Sequence, residues 1–263
     1  MSTIDFMIGG VQKAGTTALA NYLAECPDIA MAKGKEAHVF DAANFDDAAS
    51  RAWAERAFEP FFDGQGGGRL RGDATPITIL HPRFIDRAVA CNADLKWIVI
   101  LRDPVARAIS HYEMEKRRGV EHRGMLAAFL LEGWRLRDHL DDFSLDSPLR
   151  WATYARRGQY GEQLGALSAR VPDRQIHVVD SRRLRADPAS VVGEVRAFLG
   201  LPALPLRTEW RPHFEGGYVP PPAWSPARLY LNWRLRAARR DFHRRFGAVA
   251  PAPTMSGTGV STP

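Results

Sequence analysis

A glycine-rich segment near the amino terminus contains Lys13, Thr16 and Thr17, three side chains that can hold a phosphate group. Glycine lets the backbone approach an anion closely, and the first N–H groups of a helix have no partner within that helix. The helix dipole also favours negative charge at this end. The segment follows the strand-like run Ile4-Asp5-Phe6-Met7-Ile8 and precedes a helical pattern. These features predict the binding of a phosphorylated ligand.

The position of the lysine distinguishes this segment from the loop of nucleotide triphosphatases. In the pattern G-x-x-x-x-G-K-[ST], the lysine follows the second glycine and precedes a hydroxyl that holds magnesium. Gly10 and Gly15 have the required spacing, but Thr16 occupies the place of the lysine, and Lys13 lies inside the loop. The segment resembles instead the 5′-phosphosulfate loop of sulfotransferases that use 3′-phosphoadenylyl sulfate (PAPS). The resemblance implies that the cofactor is bound by Lys13, Ala14, Gly15, Thr16, Thr17 and Ala18.

A second motif follows a predicted buried strand. Residues 96–101 form a run of buried-strand type that ends at Arg102, and Asp103 with Pro104 has the residue types of a helix start. The string Leu101-Arg102-Asp103-Pro104-Val105-Ala106-Arg107-Ala108-Ile109-Ser110-His111-Tyr112 resembles the 3′-phosphate-binding motif of the same family. The resemblance implies that Arg102 and Ser110 grip the 3′-phosphate. Each residue alone also fits a structural role, as an arginine paired with a carboxylate or a serine bonded to a helix carbonyl.

A third segment supplies candidate catalytic groups. The string Lys35-Glu36-Ala37-His38-Val39-Phe40-Asp41 resembles the K-E-x-H-F-F-D segment of the heparan sulfate branch of sulfotransferases, in which the glutamate is the catalytic base. Sulfuryl transfer to an alcohol needs a group that takes the acceptor's proton and a cation that stabilises the departing phosphate. Glu36 or His38 can be the base, and Lys13 can stabilise the leaving group. His38 also fits a role in packing or in orienting the base.

The segment Arg71-Gly72-Asp73-Ala74-Thr75-Pro76 is similar to the family's G-E-K-[ST]-P segment, with one difference. Ala74 stands where the family has a lysine beside the reacting groups. Lys33, Lys35 or His38 could replace its charge. Asp73 fits either a carboxylate that supports the catalytic groups or a cap at the end of a strand.

Two further segments resemble parts of the family less closely. Tyr160 lies in the string Arg157-Gly158-Gln159-Tyr160-Gly161-Glu162-Gln163-Leu164, which resembles a helix start that precedes a late strand. The string Glu215-Gly216-Gly217-Tyr218 occupies the place of a loop that closes over the adenosine phosphates, although the usual lysine is missing. The resemblance implies that Tyr160, Gly217 and Tyr218 contact the cofactor.

The composition is consistent with one large α/β domain. The chain has 263 residues, 45% of them hydrophobic, with a net charge of +6 and a pI of about 9.6. This charge suits a tetra-anionic donor, an anionic acceptor or a membrane surface, whereas the absence of a recognition motif argues against nucleic acid. We expect no metal, because His38 and Asp41 could form one ligand pair but no second pair occurs at suitable spacing. Cys26 and Cys91 are isolated, and neither a signal peptide nor a run of 18 apolar residues is present, so we expect a cytoplasmic protein.

The order of elements predicts a P-loop-like three-layer α/β fold, in which helices flank a central parallel sheet. We expect strands at 4–9, 29–32, 69–73, 96–101 and 175–179, and helices at 16–26, 46–60, 82–91 and 104–118. The ligand then belongs at the carboxyl ends of the strands. Residues 1–247 form the predicted domain, and residues 119–150 a helical insertion that caps the acceptor cleft. Residues 248–263 are expected to be a disordered tail.

The spacing of apolar residues in 224–246 predicts a basic helix, with Leu231, Leu235, Ala238 and Phe242 along one side. Docking of this side on the domain is favoured over association with a membrane surface or a partner. The sequence does not predict the oligomeric state.

Taken with the resemblance, the residues predict an enzyme that transfers a sulfuryl group from PAPS to a hydroxyl of a carbohydrate or a small-molecule natural product. The product of the donor is then 3′-phosphoadenosine 5′-phosphate (PAP), and no metal is required. Two alternatives stay open at this point. One is a nucleotide-dependent kinase on a P-loop-like fold, and the other is a non-catalytic module that binds anions or a membrane.

Overall fold

The computed structural model describes residues 3–48, 50–62, 69–203 and 217–247. Within these ranges the strands are β1 (Phe6–Gly10), β2 (Ile29–Met31), β3 (Leu70–Asp73), β4 (Lys96–Leu101) and β5 (Ile176–Asp180). They form one sheet in the order β2-β3-β1-β4-β5, and every neighbouring pair is parallel. Residues 97–101 of β4 are buried throughout, which is typical of a parallel strand covered on both faces.

The α-helices of the described ranges lie between successive strands in the sequence and after the last strand. They are α1 (Thr16–Ala24), α2 (Ser50–Phe58), α3 (Pro82–Cys91), α4 (Pro104–Arg117), α5 (Met125–Leu130), α6 (Glu132–Leu136), α7 (Pro148–Trp151), α8 (Tyr160–Ser168), α9 (Ser181–Ala186), α10 (Pro188–Leu199), α11 (Pro226–Arg234) and α12 (Arg236–Phe246). Helix α1 contacts α10, whereas α3 contacts α2 and α8. None of them combines the length and the apolar character that crossing a bilayer requires. The predicted fold class, a parallel sheet flanked by helices, is confirmed.

Side-chain caps explain where several helices begin. The Asp103 carboxylate accepts a hydrogen bond from the N–H of Ala106 at 2.9 Å, and Pro104 occupies the first helical position of α4. Asp180, Asp187 and Ser225 cap α9, α10 and α11 in the same way. Such a side chain satisfies one of the N–H groups that a helix start leaves without an internal partner.

The sheet register brings the ends of β1 and β4 together. Phe6 pairs with Lys96 and Gly10 with Val99, and the N–H of Val11 donates to the carbonyl of Ile100 at 2.9 Å. The loop after β1 and Arg102 after β4 therefore leave the sheet side by side. This is the edge at which ligands bind in open parallel sheets.

The helical insertion and the C-terminal helices build a second core cluster beside the main one. In it Phe129 of α5 packs with Tyr112 of α4 and with Tyr154. The helices within residues 119–150 are α5, α6 and the start of α7, and they are joined by irregular segments.

The predicted single helix over residues 224–246 is wrong in one respect. The chain bends at Leu235, and two helices, α11 and α12, replace the one helix. The bend has a packing reason, because Leu231 and Leu235 enter the second cluster whereas Phe242 enters the main core. A straight helix would send all three side chains to one face. The predicted tail, residues 248–263, lies outside the described residues.

Candidate active site

The turn between β1 and α1 exposes the backbone of the helix start. Gly15 precedes α1 with a φ of 112°, a left-handed conformation that glycine adopts without steric cost. No side chain caps this helix. The first N–H groups of α1 therefore lack the partner that Asp103 gives to α4, and they remain suited to an anionic ligand. Gly10 is needed for a different reason, because a Cβ there would lie 2.4 Å from a methyl carbon of Ile79.

A cavity of about 440 Å³ opens above this turn. Its lining comes from the loop, from the segment after β2, from β4 and α4, and from α9: Gln12, Lys13, Ala14, Gly15, Thr16, Thr17, Ala18, Asn21, Lys35, Glu36, Pro76, Arg102, Ser110, Met114, Arg118 and Arg185. Five of these residues are cationic, and Glu36 is the one carboxylate among them. The volume is in the range of small-molecule sites, and the charge favours a ligand with several negative groups.

Arg102 and Ser110 reach the cavity from β4 and α4. The guanidinium of Arg102 donates to the carbonyl of Lys13 at 3.0 Å, so the arginine also supports the loop. The hydroxyl of Tyr160 in turn donates to the carbonyl of Arg102 at 2.7 Å. Arg102 is thereby fixed from both sides while its side chain stays at the cavity wall.

One face of α4 runs along the cavity. Ser110, Met114 and Arg118 follow one another at four-residue spacing, which places them on the same side of a helix. The ammonium of Lys13 lies 3.6 Å from the sulfur of Met114. Since the rise is about 1.5 Å per residue, Ser110 and Arg118 are roughly 12 Å apart along the axis. Lys13 is thus beside the middle of this wall.

Glu36 lies in a chain of alternating charges. Its carboxylate contacts the ammonium of Lys35, and its second oxygen lies 3.3 Å from Nε2 of His38. The Nδ1 atom of His38 lies 2.9 Å from Oδ2 of Asp41. Asp41 is fully buried and also receives a hydrogen bond from Arg150.

This chain sets the protonation states of Glu36 and His38. Hydrogen bonds with Asp41 and Glu36 raise the pKa of His38 to about 9, so the imidazole is protonated at neutral pH. Burial alone would raise the pKa of Glu36, but the hydrogen bond from His38 and the charge of Lys35 outweigh it and lower that pKa. Glu36 is therefore an anion able to accept a proton, whereas His38 has no lone pair to offer.

The end of β3 holds the segment that contains Glu36. The buried carboxylate of Asp73 accepts from the N–H of Ala37 at 2.9 Å, and the hydroxyl of Thr75 accepts from the N–H of His38 at 3.2 Å. The N–H of Ala74 donates to the carbonyl of Lys35 at 3.1 Å. Burial raises the pKa of Asp73 to about 6. Asp73 is not part of the cavity wall, so its contact is with the backbone that carries the catalytic candidates.

Several residues expected at the site do not line this cavity. His38 acts through Glu36 and Asp41, and Tyr160 lies beneath Arg102. Tyr218 packs against the second core cluster. Gly217 is exposed, and no heavy atom among the described residues lies within 4 Å of where its Cβ would be. The assignment of Tyr160, Gly217 and Tyr218 as cofactor contacts stays a prediction.

The structure also adds residues that the sequence reasoning missed. Met114 and Arg118 could have been found from their spacing to Ser110, and Asn21 from its spacing to Thr17. Arg185 of α9 has no such signal, because it is distant in sequence from every motif. Beneath the loop, the buried Arg157 donates to the side chain of Gln12 at 2.8 Å; burial, with the nearby Arg107, lowers its pKa to about 9.

Comparison with known proteins gives a consistent family. Residues 3–211 match the sulfotransferase domain family. Human heparan sulfate glucosamine 3-O-sulfotransferase 3B1 is 33% identical over 203 residues, which are 74% of this chain and 45% of that protein. The chain thus spans less than half the length of this relative. A crystal structure of a sulfotransferase from Alicyclobacillus acidocaldarius is 26% identical with a TM-score of 0.66, and the match covers 91% of this chain and 97% of the other. A mouse sulfotransferase complexed with PAP shares the fold at 14% identity and a TM-score of 0.53, over 93% of this chain and 88% of the other.

Proposed function

Because the chain belongs to the sulfotransferase domain family, we propose that it transfers a sulfuryl group from PAPS to a hydroxyl of an acceptor and releases PAP. One observation carries the proposal: the loop with Lys13, the pair Arg102 and Ser110, and Glu36 all line the same cavity. An anion-binding turn alone would fit many functions. A carboxylate suited to proton abstraction beside that turn fits a group transfer.

The cationic wall supports PAPS as the donor. The N–H groups at the start of α1, with Thr16 and Thr17, would hold the 5′-phosphate. Arg102 and Ser110 would hold the 3′-phosphate from the neighbouring strand end. No metal is required in this proposal, since the side chains of the cavity supply the positive charge that the phosphates need.

The proposed chemistry assigns one step to each side chain. Glu36 takes the proton of the acceptor hydroxyl while the acceptor oxygen forms its bond to sulfur. The bond between sulfur and the bridging oxygen breaks, and its electron pair remains on the phosphate of PAP. Lys13 stabilises that charge, and the protonated His38 holds Glu36 in place and favours its anionic form. Such catalysis is mostly positioning and electrostatics.

The acceptor is proposed as a hydroxyl of a carbohydrate or a small-molecule natural product. The sequence similarity to a heparan sulfate glucosamine 3-O-sulfotransferase favours a sugar hydroxyl. Lys35 lies beside Glu36 and lines the cavity, so it supplies a cation near the place where Ala74 replaces the family lysine. The helical insertion is proposed to cap the acceptor cleft, because Arg150 contacts the buried Asp41 of the catalytic segment.

Calorimetric titration tests the donor. The purified protein is titrated with PAP and, separately, with magnesium ATP. We expect one PAP to bind per chain and ATP to bind weakly by comparison. A preference for ATP would support the kinase alternative. If neither PAP nor ATP bound, the proposal that PAPS is the donor would be wrong.

The second experiment tests transfer. The protein is incubated with PAPS and a panel of sugar and natural-product alcohols, and mass spectrometry detects the addition of a sulfuryl group. Glu36→Gln, which retains the size of the side chain but cannot take a proton, is the matched control. Transfer by wild type and loss of transfer by the variant are expected, with PAP binding retained in both. PAP binding without transfer to any alcohol would favour a non-catalytic anion-binding module.

A further inference from the structure

The net positive charge of the chain is concentrated in its C-terminal helices. Residues 226–246, which are α11 and α12 with the linking Leu235, contain seven arginines and one aspartate. The whole chain has 36 basic and 30 acidic residues, so 29 of each remain elsewhere. The rest of the molecule is therefore balanced, and the excess of +6 belongs to this helical pair.

Docking on the domain uses only one side of the pair. Leu231, Leu235 and Phe242 are buried, with exposed fractions of at most 2%. On the outer side, the large apolar residues Leu229 and Trp233 of α11 remain more than half exposed, at 54% and 61%. Trp224, just before α11, is 75% exposed. The predicted docking therefore leaves a second, unburied apolar surface.

The same two helices also expose arginines to solvent. Arg234, Arg236, Arg240, Arg244 and Arg245 are exposed. The guanidinium of Arg236 lies 5.7 Å from the ring centre of Trp233, which joins the basic helix α12 to the aromatic face of α11. We call Trp224, Leu229, Trp233 and these five arginines the basic aromatic surface.

We propose that the basic aromatic surface binds an anionic lipid bilayer. Tryptophan and leucine at the surface of a helix enter the boundary between headgroups and acyl chains, and arginines around them bind anionic headgroups. A soluble polyanion would need the arginines but would gain little from three exposed apolar side chains. The combination therefore favours a membrane surface over a soluble polymer. This surface binding needs no helix that crosses the bilayer.

The surface is attached to the helix that carries part of the proposed donor site. Arg239 of α12 donates to the Asp103 carboxylate at 2.9 Å, and Asp103 caps α4 immediately after Arg102. None of the residues of the basic aromatic surface lines the cavity. Lipid binding and donor binding can therefore be measured independently.

Cosedimentation with vesicles tests the proposal, using the full chain without PAPS. One set of vesicles is phosphatidylcholine alone, and the other also contains phosphatidylglycerol. We expect binding to the anionic vesicles, weak binding to the zwitterionic ones, and a decrease with added salt. No binding to the anionic vesicles at low salt would overturn the proposal.

Two variants separate the contributions of charge and of apolar contact. Arg240→Gln with Arg244→Gln should weaken binding to anionic vesicles about fivefold for each arginine, and Leu229→Ser with Trp233→Ser should weaken it at least as much in total. Arg51→Gln with Arg56→Gln on α2 removes the same charge from another exposed helix, and Leu145→Ser removes an apolar side chain that is 84% exposed. These controls should bind as wild type does.

Heparin binding provides the contrasting readout. If the apolar variant binds vesicles as wild type does, while the arginine variant loses vesicles and heparin alike, the surface binds polyanions and the lipid proposal is wrong. Equal losses in the surface variants and the controls would show a general charge effect and would also overturn it. PAP titration of each variant confirms that the fold and the donor site are intact.

Discussion

Arg150 forms an ion pair with the fully buried Asp41, which joins the helical insertion to the segment that carries Glu36. The Nη1 atom of Arg150 lies 2.5 Å from Oδ2 of Asp41, and its Nη2 donates to the carbonyls of Asp41 and Phe143 at 2.7 and 2.9 Å. Because Asp41 also binds His38, positive and negative groups alternate from Arg150 to Glu36. The insertion is therefore connected to the candidate base through Asp41 and His38.

Replacing Arg150 with leucine should destabilise the fold. The change leaves the fully buried Asp41 with His38 as its remaining cationic partner, and breaking a buried pair costs about 3 to 5 kcal/mol. Urea denaturation measures the loss. Arg150→Lys should recover only part of the lost stability, since a single ammonium cannot replace the hydrogen bonds that Nε, Nη1 and Nη2 of Arg150 donate.

The matched control is Arg183→Leu, which breaks an ion pair with Glu194 that is exposed on both sides. That change should cost about 1 kcal/mol or less. Equal losses for Arg150→Leu and Arg183→Leu would contradict the role of the buried pair.

The pH profile of turnover should show its basic limb near pH 9 and no limb between pH 6 and 8. Glu36 has a lowered pKa and is ionised throughout this range, whereas His38 loses its proton near its pKa of about 9. In His38→Asn, which keeps a hydrogen-bond donor, the basic limb should move or disappear. An acidic limb near pH 6.5 that vanishes in this variant would instead identify neutral His38 as the base.

The stability of the fold should depend on pH through the same residue. The pKa of His38 is raised from 6.5 to about 9 on folding, so its contribution is complete below pH 6.5 and is lost as pH rises through about 9. Urea midpoints measured across this window should fall more in wild type than in His38→Asn. Parallel curves for the two proteins would contradict the contacts with Glu36 and Asp41.

Glu36→Gln should abolish most of the turnover while leaving donor binding intact. A positioned general base contributes roughly 10²- to 10⁴-fold, and we expect a loss of kcat in that range. Calorimetry should give a Kd for PAP close to that of wild type. Glu55→Gln on α2 is the neutral comparison, because its carboxylate is remote from the cavity. A variant that retained more than a tenth of wild-type kcat would exclude Glu36 as the base.

Arg102→Ala should weaken PAP far more than adenosine 5′-phosphosulfate, which lacks the 3′-phosphate. Loss of a charged hydrogen bond should raise the Kd for PAP roughly 10- to 100-fold. Since Arg102 also supports the carbonyl of Lys13, a smaller loss common to both ligands is expected. Ser110→Ala should show the same selectivity with a smaller effect. Equal losses of affinity for PAP and adenosine 5′-phosphosulfate would show that Arg102 does not bind the 3′-phosphate.

Tyr160→Phe distinguishes a cofactor contact from a structural one. The buried hydroxyl donates to the carbonyl of Arg102, so its removal should cost about 1 to 2 kcal/mol of unfolding free energy. The Kd for PAP should change less than about threefold, because Tyr160 does not line the cavity and affects Arg102 through one neutral hydrogen bond. A large change in PAP affinity without a loss of stability would place the hydroxyl on the cofactor instead.

The sequence alone determined the motifs and the elements that carry them. Local patterns, such as the apolar run 96–101 and the Asp103 and Pro104 start of α4, are set by neighbouring residues and hence can be read from the chain. The alternation of buried strands and helices likewise predicted the parallel sheet, since such strands must be covered on both faces.

Only the tertiary structure decided how distant groups influence one another. Arg150, more than a hundred residues from Asp41, and Arg185 of the cavity wall carry no local signal of their contacts. The choice between Glu36 and His38 likewise depends on burial and on the charges around them, which the fold creates by packing remote segments together. The bend at Leu235 has the same origin, because Leu231 and Leu235 pack in the second core cluster whereas Phe242 packs in the main core.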